Sequence, residues 1–482
     1  MSLSSALNNA ISGLTSTSRM AEVVSSNLSN VMTDGYGRRS VELSSVQMGN
    51  VGGGVRVSSV NRFVDAGLLA DRRLTDAALT GQQETVNALT RLEQTLGGAE
   101  DAGSIGARLA ALEGALISAS SDPASETRLA AVVSRFTDLT QTLNSNTRST
   151  QALRQEADGA IMNDINTLNA ALSQVEALNT DILRLKSKGI DTSSLLDTRQ
   201  KVVDQIAEIV PVRQIDRPND TIGLLTTNGT TLLDGRAVQF GFDRTPTITA
   251  DMTFASGALG GITVNGVPLD PAKGAGRLDG GSLGAAFAMR DVTLVEVQNG
   301  LDEIAVDLIA RYQDPMTDAT LAPGDLGLLT DEGGLLDLAD VPGVAGRIAL
   351  NAAVDPNKGG ELRLLRDGLN SGVAGPTGYA TQLNRLLEAL AVPRADLPGV
   401  ATHSASGRVS SFTAMVGGTR LAAEEKLSFT AARWDTLHEA ELSNGVDTDI
   451  ELQTLMRIEQ AYAANAKVIE SADFMMQRLM EI

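Results

Sequence analysis

Few residues in this chain could do chemistry, and their spacing suits little of it. Gly280-Gly281-Ser282-Leu283-Gly284 has the G-x-S-x-G pattern of a nucleophile elbow, where a sharp strand-to-helix turn exposes a serine for acyl transfer. His403 and His438 follow it, so Ser, Asp and His occur in an order that serine hydrolases use. The preceding GAGRLDG reads as a loop rather than a strand, and no His-Gly-Gly-Gly run is present to build an oxyanion hole. A glycine-rich crossover is the better reading of Ser282.

The two histidines stand 35 residues apart on different predicted segments, which is no zinc spacing. Asp314, Asp318, Asp325 and Asp331 lack the D-x-[DN]-x-[DN]-G order of a calcium loop and read as a solvated acidic stretch. Cysteine is absent, which removes disulfides, thiolate metal sites and Cys nucleophiles. No glycine cluster is followed by Lys-Ser/Thr, and no G-x-G-x-x-G occurs. No catalytic constellation, metal or cofactor is expected, and the chain reads as a non-enzyme.

Composition narrows the partners. A net charge of −20 argues against nucleic acid and anionic membranes, both of which call for clustered Lys and Arg. No apolar run reaches the ~18 residues needed to span a bilayer. The first basic residue is Arg19, and polar residues interrupt every early apolar stretch, so no cleaved signal peptide is expected. Aromatics make up only 3% of the chain, which suits long helices packed through small side chains.

The elements with the clearest periodicity are the two ends. Leu3, Leu7, Ala10, Leu14, Thr17, Ala21, Val24, Leu28 and Val31 alternate spacings of four and three, a heptad seam. Leu455, Ile458, Tyr462, Asn465, Ile469, Ala472, Met476 and Leu479 repeat the pattern at the other end. Off the first seam the residues are unusual. Met1 to Thr33 carries two charges, Arg19 and Glu22, against sixteen Ser, Thr or Asn. A solvated coiled coil would carry Glu and Lys there, whereas small polar groups suit a helix surrounded by other protein. Alone, such a helix is marginal in water, so both ends are expected to be poorly ordered in the monomer and to fold on assembly.

Ala6–Arg39 resembles the N-terminal signature of the flagellar rod, hook and hook-associated axial protein family. The matching residues are Ser12, Gly13, Leu14, Ser26, Asn27, Leu28, Ser29, Asn30, Thr33, Gly35 and Tyr36. Asp447–Ile482 is similar to that family's C-terminal element through Glu459, Gln460, Ala461, Tyr462 and Ala464. The long helical stretch to about residue 210 resembles the hook-associated branch, since hook and rod proteins turn β-rich soon after their first helix. The resemblance implies a structural subunit at the hook–filament junction, exported through the flagellar type III apparatus without a cleaved signal peptide and located outside the cell on the flagellum. It implies as partners the chain itself in a ring or helical assembly, the hook protein, the second junction protein, an export chaperone and the export apparatus. The assembly seam would be Leu3, Leu7, Leu14, Val24, Leu28, Val31, Leu455, Ile458, Tyr462, Ile469, Met476 and Leu479. The rival readings are another axial protein (the second junction protein or a hook subunit), a secreted hydrolase using Ser282, and a surface adhesin.

The expected fold is mainly α with an inserted β domain. Terminal coiled-coil helices (1–50 with 440–482) carry a helical bundle (51–210 with 281–439) and a small outer β domain (211–280). Within the bundle, Leu79, Val86, Leu89, Leu92 and Leu96 share one face, and Ile161, Ile165, Leu168, Leu172, Val175, Leu178, Ile182 and Leu185 share another. Pro211 ends that pattern. Asn228-Gly229, Asp234-Gly235 and Asn265-Gly266 then punctuate short strands.

Overall fold

A computed structural model describes residues 3–48, 51–98, 101–269, 278–395, 397 and 399–480. The chain opens with helix α1 (Leu3–Ser29) and a two-stranded antiparallel hairpin, β1 (Arg38–Met48) and β2 (Val51–Phe63). Helices α2 (Ala66–Leu96), α3 (Ile105–Ser121), α4 (Glu126–Lys186) and α5 (Ser193–Ile209) follow. Seven short strands come next: β3 (Val212–Asp216), β4 (Ile222–Thr226), β5 (Thr231–Asp234), β6 (Arg236–Ala237), β7 (Phe240–Gly241), β8 (Thr263–Val264) and β9 (Val267–Pro268). They form a four-stranded sheet, β3-β4-β5-β6, and a three-stranded one, β7-β8-β9.

Helix α6 (Gly281–Ala288) passes through a π turn, Met289–Thr293, into α7 (Leu294–Gln313). A looping stretch carries β10 (Leu329–Asp331), α8 (Val344–Arg347), β11 (Ile348–Leu350) and α9 (Leu364–Asp367). The chain returns through α10 (Thr381–Ala391) and α11 (Ala405–Ser443) to α12 (Thr448–Met480). The molecule is mainly helical with small antiparallel sheets, as expected from the sequence.

Helix starts follow local chemistry. The Asp65 carboxylate accepts the Gly67 and Leu68 N–H groups at the head of α2, and Ser104 and Ser404 cap α3 and α11 in the same way. Gly97, at φ 78°, closes α2. Helix α4 is unbroken for 61 residues, about 90 Å at 1.5 Å per residue. Its two halves serve two different cores.

Leu129, Val132, Phe136, Leu139 and Leu143 pack with α2, α3, α7, α10 and α11, where Phe136 meets Tyr312 edge-to-face at 5.2 Å. Ile161, Ile165, Leu168, Leu172 and Val175 pack with α5, α6 and the strands. The strands from 212 to 268 therefore share their core with three helices rather than building one of their own. Side chains of α4 fix them in place. Asn179 bonds both the carbonyl and the N–H of Ile222, and Asn169 does the same for Phe240. Gln155 grips Thr245 and Ile248, and the buried Arg154 donates to the carbonyls of Thr249 and Met252. Strands only two to five residues long persist because the helix beneath them supplies the missing partners.

Two expected boundaries need correction. The line between residues 50 and 51 would part β1 from β2, which pair from Arg38–Phe63 to Met48–Val51, so the two strands belong to one unit. The line between 439 and 440 cuts α11, which continues to Ser443.

Candidate assembly surface

Helices α1 and α12 lie side by side. A Cβ added at Gly13 would sit 2.7–2.8 Å from the Asn465 carboxamide, so the two backbones approach closely at that point. Beyond the other end of α1, Arg38 pairs at 2.8 Å with Glu451, whose carboxylate is buried at the start of α12. Together these contacts make the pair antiparallel. At 27 and 33 residues the helices are about 40 and about 50 Å long.

Part of the Ser/Thr/Asn-rich surface of α1 is covered from within the chain, while Ser4, Asn8, Thr15, Ser18, Ser25 and Ser29 stay exposed. The β1–β2 hairpin folds back along the helix. The Val55 N–H donates to Ser12 Oγ at 3.2 Å, and a Cβ at Gly54 would overlap that hydroxyl and approach the Asn9 backbone. Small polar side chains on one side and glycine on the other permit this contact.

The turn joining α1 to the hairpin shows what the Ser26–Tyr36 signature does. Asn27 is completely buried. Its Nδ2 donates to the Arg39 carbonyl at 2.8 Å, and its Oδ1 accepts from the Arg39 N–H at 3.0 Å and the Tyr36 hydroxyl at 2.9 Å. Gly35, at φ 73°, makes the turn. Asp197 of α5 then accepts the Gly37 N–H and pairs with Arg39 and Arg62, tying helix, turn and hairpin to the body.

The seam residues divide between the two helices. On α1 the named members from Leu3 to Leu28 are all buried or half-buried. Val31 lies in the turn beyond the helix, which stops at Ser29, so it extends the seam in sequence but not as helix. On α12 only Ile458 and Ala472 of the seam are buried, and Leu455, Asn465 and Ile469 are half-buried. Tyr462, Met476 and Leu479 are 49%, 47% and 67% exposed. Around them Ile450, Leu452, Met456, Val468, Phe474, Met475 and Met480 are exposed as well. Ten large apolar side chains are thus open to solvent on one 33-residue helix, spread around it rather than along a single row, more than the scattered exposure usual on a monomer. Helix α11 adds Leu421, Phe429 and Leu442.

Polar contacts hold α11 against α2. The indole of Trp434 donates to Asp76, which also pairs with Arg72 at 2.7 Å. Arg72 in turn reaches Asp204 and Glu441. Burial, the largest cause, pushes the Asp76 and Glu441 carboxyls above the usual range.

The residues with chemical potential are engaged elsewhere. Gly280 and Gly281 both have positive φ, and a Cβ at Gly281 would lie 2.1 Å from the Ile209 carbonyl, so these glycines let α6 start in a crowded site. Ser282 Oγ donates to Asp164 at 2.7 Å beside a cavity of about 260 Å³ that no histidine lines. His403 exchanges main-chain hydrogen bonds with Arg394, and His438 stacks on Trp434 at 4.7 Å. Asp314 pairs with Arg394 and Asp331 with Arg347, while Asp318 and Asp325 accept nearby N–H groups. Among the described residues no cluster of His, Asp and Glu could hold a metal ion, and no helix is long and apolar enough to cross a membrane.

The hairpin and the Asn27–Arg39 clasp were not foreseen from sequence. The signal for the hairpin was the alternation in Val41-Glu42-Leu43 and Val55-Arg56-Val57, interrupted by register shifts at Glu42/Leu43 and Ser45/Gln47.

Two family models match the chain, the flagellar hook-associated protein FlgK helical domain over residues 89–327 and the flagellar basal body rod FlgEFG protein C-terminal segment over residues 441–482. The flagellar hook-associated protein 1 of Salmonella typhimurium is 26% identical over 340 residues, covering 67% of this chain and 59% of that protein's length. The Bacillus subtilis protein of the same name is 20% identical over 492 residues, covering 94% of this chain and 93% of its own. A solved structure, the flagellar hook junction protein FlgK from Burkholderia pseudomallei, is 18% identical with a TM-score of 0.45, over 54% of this chain and 46% of that one.

Proposed function

From a chain that belongs to the flagellar hook-associated protein 1 family of structural flagellar proteins, we propose a subunit of the hook–filament junction that polymerises through its terminal helices. The observation that carries this reading is the division of the two seams. The seam of α1 is buried or half-buried, while α12 leaves Tyr462, Met476 and Leu479 in solvent. An apolar surface of that size gains its full burial only against neighbouring copies, at about 25 cal/mol per Å².

In this reading the α1–α12 pair and its hairpin form the inner, tube-building part, the helical body surrounds it, and the strands of 212–268 lie outermost. The chain leaves the cell unfolded through the flagellar type III apparatus, escorted by an export chaperone. It then adds to the tip of the hook, with the hook protein below and the second junction protein above. Electron microscopy of cells lacking this chain tests the proposal. Hooks without filaments, with filament protein shed into the medium, are expected, and full-length filaments on those cells would overturn it.

A further inference from the structure

A cleft of about 470 Å³ opens between β2, α2, α5 and the β3–β4 pair. Part of its wall is apolar, with Leu69, Leu196, Val203 and Ile222, yet four arginines also line it: Arg62, Arg73, Arg199 and Arg213. Two of them have carboxylate partners. Arg62 pairs with Asp197 and Arg73 with Asp204.

Arg199 does not. It is only 8% exposed, and its Nη1 donates to two neutral oxygens, the Asn179 side-chain amide at 2.8 Å and the Asp220 main-chain carbonyl. The Asp220 carboxylate itself is engaged by Lys186. Among the described residues Arg199 makes no ion pair, and only its Nη1 has protein acceptors. Burial is the main reason its pKa falls to about 10; the nearby charge of Asp220 opposes the fall, as does Asp216, while Arg62 and Arg73 add to it. Arg213 stands exposed at the mouth, and the carboxylates lining the cleft, Asp71 and Asp216, are on its exposed rim.

A buried guanidinium with no carboxylate in contact, Asp220 and Asp216 acting on it only from a distance, carries a desolvation cost that an anion would offset. Its planar fork fits the two oxygens of a carboxylate or phosphate. We infer that this cleft is a binding site for a small oxyanion, a phosphate or carboxylate on a compact body, held by Arg199 inside and Arg213 at the mouth. Because the cleft is walled by β2, α2, α5 and β3, an occupant would brace the hairpin against the helical body.

The test uses the full chain, titrated by calorimetry with inorganic phosphate and separately with citrate, against sodium chloride at equal ionic strength. Saturable binding of at least one probe is expected, accompanied by a rise in unfolding midpoint that chloride does not give. Phosphate alone would mark a phosphate site, and citrate alone a carboxylate site. Arg199→Gln should weaken binding by about tenfold or more, and Arg213→Glu, an exposed change that leaves the fold intact, by about the same factor. If both probes behave as chloride does, or if Arg213→Glu binds as tightly as the unaltered chain, the inference fails.

Discussion

Asn27 and Arg39 are joined as two strands would be, one carboxamide satisfying both the N–H and the carbonyl of the other residue's main chain, at 3.0 and 2.8 Å. The helix that must meet neighbouring subunits is thereby locked to the hairpin that returns along it. Asn27→Ala would strand those two main-chain groups, while the Tyr36 hydroxyl keeps its bond to Ser26. A loss of about 2–4 kcal/mol is expected, at roughly 1–3 kcal/mol for each unsatisfied buried group. Urea unfolding followed by circular dichroism measures it, and a loss below about 0.5 kcal/mol would show that the clasp is not needed.

The α1–α12 contact makes a second prediction at Gly13. Alanine there gains up to about 1 kcal/mol of helix propensity but must displace the Asn465 side chain, whose nearest atoms would lie 2.7–2.8 Å away. That tip is flexible, so Gly13→Ala should be nearly neutral, and Gly13→Leu should push the helices apart. Combining Gly13→Ala with Asn465→Ala should be more stable than the two single effects sum to, by about 0.5 kcal/mol or more. Strict additivity in the double-mutant cycle would place the close approach elsewhere.

Acid should stabilise one part of the helical body. Asp302 accepts the Gly343 and Ala345 N–H groups at 2.8 Å each, yet burial outweighs those bonds and raises its pKa to about 6. The folded state therefore holds a proton that the unfolded chain has already released above its ordinary value near 4. The resulting stabilisation is complete below about pH 4 and is lost as pH rises through about 6, a change of roughly 3 kcal/mol at 1.36 kcal/mol per pH unit. Measured against Asp302→Asn, the unaltered chain should lose relative stability between pH 4 and 6.5. A flat difference across that range would contradict the assignment.

Ser282→Ala separates the structural role of that serine from an acyl-transfer role. It removes one hydrogen bond to Asp164, so a loss of about 0.5–1.5 kcal/mol in urea is expected, with filament assembly retained in cells. Loss of filaments without loss of stability would give Ser282 a function that the present account lacks.

The helices were legible in sequence wherever apolar residues recur at helical spacing against a single core. The row from Ile161 to Val175 along α4 is buried as its spacing predicts, as are Leu89, Leu92 and Leu96 of α2. The turn dipeptide Asn265-Gly266 also joins β8 to β9, with both residues at positive φ. What escaped was held together by polar groups acting over long sequence distances. The bond of Asp197 to Gly37 spans 160 residues, and the Arg38–Glu451 contact spans 413. Periodicity carries no record of such partners. The hairpin was hidden for a related reason, since glycine and paired serines dilute the alternation that marks a half-buried strand. The expectation of poor order at both ends treated α1 as an isolated helix; the hairpin packed along part of it adds contacts that a lone helix would lack.

If the exposed seam of α12 exists for neighbouring copies, a matched pair of measurements on Tyr462→Asp/Leu479→Asp shows it most directly. Both side chains are solvent-exposed in the single chain, so its urea midpoint should shift by no more than about 0.5 kcal/mol equivalent. In cells carrying the variant as their only copy, hooks should form and remain bare. Normal filaments on those hooks, or a large loss of stability in the isolated chain, would contradict the account.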